Sequence, residues 1–168
     1  MSRLLAAALT CVALAWLALL LLAPFVPREA SLVYHFASGV CHQRPERSFS
    51  LAGAQLPVCA RCFGLYASGA LAAAAAHLRL RASARQARGP AVLTPRAARI
   101  LFAAAAAPTV VTVAAEWVGV ASPSNLARAV ASIPLGAAAG WIFVRMLLAE
   151  AEHVRTERSE RRSASAAK

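Results

Sequence analysis

At 168 residues the chain has room for about one domain, and 60% hydrophobic against 15% charged residues, with a mean hydropathy of +0.58, excludes an ordinary water-soluble globule. In a soluble protein the net charge of +11 would raise nucleic acid as a partner, but here the basic residues lie between apolar runs. No stretch interleaves them with aromatics as a stacking platform requires, so the expected partner is the lipid bilayer and not a nucleic acid.

The first apolar run goes from Leu4 to Val26. It is longer than the apolar core of a signal peptide, and Pro24-Phe25-Val26-Pro27 is a poor cleavage site. Residues 1–26 therefore predict an uncleaved transmembrane anchor. A polar segment follows, over 27–58, with His35, Cys41, His42, Arg44 and Arg47. Residues 58–78, rich in alanine and glycine and containing Tyr66, predict a second span that begins with Cys59-Ala60-Arg61-Cys62. Arg79, Arg81, Arg85, Arg88, Arg96 and Arg99 come next with no acid among them, and Gly89, Pro90 and Pro95 mark that stretch as a loop.

Residues 97–120 predict a third span, kinked at Pro108 and carrying Glu116-Trp117 near its far end. A short Ser/Pro/Asn connection then supplies helix-capping residues, with Asn125 read as the cap. The fourth span, 126–148, contains Gly136-x-x-x-Gly140, small residues that let two backbones approach. Packing inside the bundle is the simpler use of that motif, and a homo-oligomer through Gly136 and Gly140 is the alternative. Residues 149–168 mix acids and bases and read as a charged cytoplasmic tail, helical at first and partly disordered beyond. The expected fold is all-α: a polytopic four-transmembrane-helix bundle with one structured outer loop, the loop and last three spans occupying 27–148.

With four spans, the amino terminus, the Arg-rich loop and the tail share one side and hold 13 of the 18 Lys and Arg residues. The positive-inside rule makes that side cytoplasmic. Both termini are then cytoplasmic in a plasma (bacterial inner) membrane. The segment 27–58, the start of the second span, the end of the third and the start of the fourth meet at the outer face.

Cys41-His42 and Cys59-x-x-Cys62 are the strongest chemical signal on that face. Thiols three residues apart at a helix start lie on one side of it, which suits one metal ion or one disulfide. In the metal reading Cys41, Cys59, Cys62 and His42 bind a zinc-type ion, with His35 as the alternative fourth ligand. In the redox reading Cys59 and Cys62 are a reactive pair, activated by the helix dipole and by Arg61, with Cys41 as shuttle. Thiol-to-quinone oxidoreductases of the vitamin K epoxide reductase type share this gross layout, although no second outer cysteine pair completes a relay. An inert staple, or a small-molecule or ion permease with structural thiols, are the other readings. Against a permease, spans two to four carry no charge deep in the membrane.

Glu116 needs a partner or a use so close to a membrane, and Arg61 or Arg128 can pair with it. Arg128 otherwise reads as an interface anchor. Cys11, inside the first run, reads as inert core, and His77 and His153 as ordinary surface residues.

The stretch Val40 to Gly69 resembles the signature of the predicted membrane proteins called domain of unknown function 2085. The matching positions are Cys41, His42, Gln43, Arg47, Ser48, Gly53, Cys59, Ala60, Arg61, Cys62, Gly64, Tyr66 and Gly69. A second part is matched by Ser122 to Arg128, then Gly136 and Gly140. The resemblance implies a membrane architecture and singles out the same residues without naming a reaction. Its pattern often carries an aspartate four residues after the third-span proline, where this chain has Thr112, with Glu116 one turn further on.

Overall fold

The computed structural model describes residues 2–26, 28–85 and 94–166. The chain is mostly helical: α1 (Ser2–Leu22), ending in a short 3-10 turn (Ala23–Phe25), a short α2 (Ser31–Ser38), then α3 (Ala60–Arg85), α4 (Pro95–Trp117) and α5 (Asn125–Ala166). Between α2 and α3 lie a 3-10 turn (Pro45–Arg47) and an antiparallel hairpin of β1 (Ser48–Leu51) and β2 (Ala54–Cys59).

The hairpin corrects the all-α expectation. Its two-residue turn, Ala52-Gly53, has φ of 52° and 80°, the doubly left-handed geometry that matches strand twist and that glycine adopts without strain. Pro57 has no N–H to give, yet in a two-stranded sheet every strand is an edge, so it can sit within β2. Ser48 pairs with Cys59 across a register irregularity, which carries the strand end directly into the first turn of α3.

Among the described residues, three helices are long and apolar enough to cross a membrane: Leu4–Phe25, Pro95–Trp117 and Asn125–Ala149. The expected fourth, α3, does not join them on hydropathy, because alanine, glycine and serine dominate it. Small residues instead let α3 serve as the packing axis. It has its most extensive contact with α5, and α1 packs on both. A Cβ added at Gly140 would collide with the backbone carbonyl of Gly69, and one at Gly136 with that of Leu65. The small-residue seam of α5 therefore packs against α3 of the same chain, the simpler of the two uses expected of Gly136 and Gly140. Cys11, expected in the core, is exposed on α1.

Two apolar clusters stack along the bundle. Ala6, Ala73, Ala76, Val144 and Leu148 form one, backed by Trp141, whose ring lies 5.6 Å and 5.9 Å from the guanidiniums of Arg79 and Arg145. Leu20, Ala37, Cys41 and Val58 form the other, beneath the hairpin. Helix α3 continues to Arg85 and α5 to Ala166, beyond the expected ends at 78 and 148. Arg88, Gly89 and Pro90 of the basic loop, and the last two residues of the tail, lie outside the described residues.

Candidate metal centre and its arginine network

Cys59 closes β2 and Cys62 sits in the first turn of α3, so the strand-to-helix junction turns both thiols to one side. The third thiol arrives from the loop after α2. The Sγ atoms of Cys41, Cys59 and Cys62 all lie within 4.8 Å of one another. Four thiolates around a zinc-type ion would sit roughly 3.8 Å apart, given Zn–S of about 2.3 Å and tetrahedral angles, so small rotamer shifts bring the three to one ion. The backbone N–H of Cys59 donates to Cys41 Sγ at 3.1 Å, the kind of contact that steadies a thiolate.

Gln43 holds the Cys41-His42 loop in place, a role that the residue types alone do not reveal. Its backbone is left-handed (φ 49°), and its Nε2 donates to the carbonyls of Tyr34 (2.8 Å) and Pro57 (2.7 Å). Gln55 Nε2 returns a bond to the Gln43 carbonyl (2.6 Å), and Tyr34 Oη donates to the Gln55 carbonyl (2.6 Å). One glutamine thereby ties α2, the loop and β2 together. Burial raises the Tyr34 pKa, in keeping with a neutral donor there.

The two candidate histidines separate. Exposed His42 borders the cavity that the three thiols line, whereas His35 is exposed on α2 with its ring set edge-on to Phe36. Among the described residues, the cluster of possible ligands contains the three cysteines and neither histidine. Tyr66 lies one turn below Cys62 in the apolar cluster, edge-on to Trp16 at 6.4 Å.

Glu116, in the last turn of α4, accepts three arginines: Arg61 (2.6 Å) on Oε2, and Arg128 (2.9 Å) and Arg47 (3.1 Å) on Oε1. Arg61 Nη2 also donates to the carbonyl of Thr112, so the place where the resemblance leads one to look for an aspartate faces the same guanidinium as Glu116. Arg128 Nη1 donates to Asn125 Oδ1 (2.8 Å), and Asn125 Nδ2 reaches the Ser48 carbonyl (2.9 Å). Asn125 is thus a bridge from α5 to the hairpin and not the cap expected of it. Ser124 caps α5, its Oγ accepting from Ala127 N–H at 3.2 Å. Arg47 was the one partner of Glu116 not expected from sequence, because only the turn before β1 swings it toward α4.

Thiols and guanidiniums border one cavity of about 340 Å³, lined also by Arg44, Gln43 and Trp117. The donor set suits a soft or borderline metal ion, and a cationic wall stands beside it.

Comparison with known proteins places these residues in a wider setting. The family described as predicted membrane protein (DUF2085) matches residues 41–142, more than half of the chain. An uncharacterized protein of Methanocaldococcus jannaschii is 53% identical over 34 residues, covering 20% of this chain and 22% of that protein. A second, from Methanothermobacter thermautotrophicus, is 56% identical over 27 residues, 16% of this chain and 24% of that one. The chain thus matches under a quarter of the length of either relative. No solved structure matches it.

Proposed function

The chain belongs to the DUF2085 family of predicted membrane proteins, and from that premise we propose that it is a multi-pass metal-binding protein whose zinc-type centre is held by Cys41, Cys59 and Cys62. The observation that carries this reading is the convergence of three thiols from two separated segments on one point. A disulfide would engage two of them and strand the third, whereas one ion uses all three. His42, at the rim of the same cavity, is the nearest candidate for the fourth ligand, reached by a small movement of its exposed loop.

In this proposal α3 is a fourth span. Its 26 residues measure about 39 Å, enough to cross a bilayer, and neighbouring helices rather than lipid cover much of it, so it need not be strongly apolar. Four spans then place the basic loop and both termini in the cytoplasm and the thiol centre at the outer face of the plasma membrane.

Metal analysis of the detergent-purified chain, run beside thiol trapping, tests the reading. We expect about one zinc per chain, with Cys41, Cys59 and Cys62 masked until a chelator is added. A metal-free protein whose Cys59 and Cys62 cycle between dithiol and disulfide would overturn it in favour of a membrane thiol-disulfide oxidoreductase.

A further inference from the structure

The arginines beside the thiol cluster outnumber their counter-charges. Arg44, Arg47, Arg61 and Arg128 all line the 340 Å³ cavity, and the carboxylate that three of them share is Glu116. No Asp or Glu lines the cavity itself among the described residues. A trithiolate–dication unit, with one net negative charge, would still leave the balance positive.

Burial makes that surplus expensive. Arg128 is 8% exposed, and its Nε–H, like that of Arg61, is buried without a hydrogen-bond partner. A guanidinium N–H out of water and unpaired is unfavourable, and among the described residues neither Nε–H has an acceptor. Meanwhile both groups are fixed in place: Arg61 by Glu116 and the Thr112 carbonyl, Arg128 by Glu116 and Asn125. Pre-oriented planar guanidiniums lining one cavity that no carboxylate lines among the described residues match an anion that presents several oxygens.

We propose that this cavity binds a phosphate-type oxyanion, with Arg44, Arg47, Arg61 and Arg128 as its donors. The volume exceeds that of bare phosphate and leaves space for a small esterified group. The cavity sits at the ends of apolar helices, so the phosphoryl group can come from a soluble ester or from a lipid headgroup. Binding is carried by the guanidiniums and does not rest on the metal.

The test uses the full chain in a maltoside detergent without phosphate, both chelator-treated and zinc-loaded. Inorganic phosphate and a short-chain phosphatidic acid are titrated separately against chloride of matched ionic strength, reading the thermal midpoint and tryptophan fluorescence. Saturable stabilisation by phosphate in both preparations is expected. Arg44 is exposed and outside the Glu116 network, so Arg44→Gln should fold and bind about tenfold more weakly, as loss of one charge-assisted donor predicts. Arg128→Lys, which keeps the charge but loses the planar fork of donors, should weaken binding further. A response to the phosphatidic acid alone supports the same site with a lipid headgroup as its source. An equal effect of chloride, an undiminished response in Arg44→Gln, or a response confined to the zinc-loaded chain would overturn the proposal.

Discussion

Replacing Glu116 by glutamine keeps the shape of the side chain and removes the charge that three arginines share. The Glu116 side chain is 12% exposed, and those of Arg61 and Arg128 are 17% and 10% exposed, so water can compensate little for the loss. Removing one partner of a buried pair costs about 3–5 kcal/mol, because the remaining charge stays desolvated. Here two buried guanidiniums are left facing each other, which puts the expected loss in that range. For a chain of this size that corresponds to a thermal midpoint lower by roughly 6–20 °C. Thermal unfolding of the purified chain in detergent, followed by gel filtration, measures it. Glu116→Asp, which keeps the charge but shortens the reach, should fall between the parent and Glu116→Gln. A Glu116→Gln shift under about 2 °C, equivalent to less than about 1 kcal/mol, would refute the view that this carboxylate holds the end of α4 to α3 and α5.

Further outcomes follow from the same geometry. Serine at Cys41, Cys59 or Cys62 should each lower bound zinc to well under one ion per chain, while serine at Cys11, exposed on α1, leaves it unchanged; elemental analysis decides. Because thiols must lose protons to bind a metal, zinc retention should fall as pH falls, and retention that rises on acidification would speak against thiolate ligation. Gln43→Ala deletes bonds to two backbone carbonyls and should destabilise the chain by about 2 kcal/mol, with weaker zinc binding in a competition assay. Gly140→Leu drives a side chain into the Gly69 carbonyl and should cost at least 1–3 kcal/mol, roughly the usual cost of overpacking, seen as a lower midpoint or loss of monodisperse protein.

Hydropathy and residue spacing alone are enough to find α1, α4 and the membrane-length part of α5, Asn125–Ala149, to within a few residues, because a long apolar run in water has few alternatives to a spanning helix. They also single out Cys41, Cys59 and Cys62, since thiols at a helix start and beside a histidine are conspicuous in a chain with only four cysteines. The hairpin was not legible. Its strands are short, its turn is marked by one glycine, and it is held by Gln55 of β2 bonding to Ser48 Oγ and the Gln43 carbonyl and by Asn125 reaching in from α5 to the Ser48 carbonyl. Nor was the standing of α3, whose alanines and glycines matter for how closely α5 approaches and not for their transfer into lipid. Asn125 shows the limit of local reasoning: its side chain suits a cap, yet Ser124 takes that place and frees it to join Arg128 to β1. The sequence by itself therefore determined the membrane character and the thiols. Only the tertiary structure decided that His42 and not His35 borders the thiol cavity, that Arg47 joins Arg61 and Arg128 on Glu116, and that thiols and arginines share one cavity. Those outcomes depend on where long side chains end, and that is fixed by the crossing of helices distant in sequence.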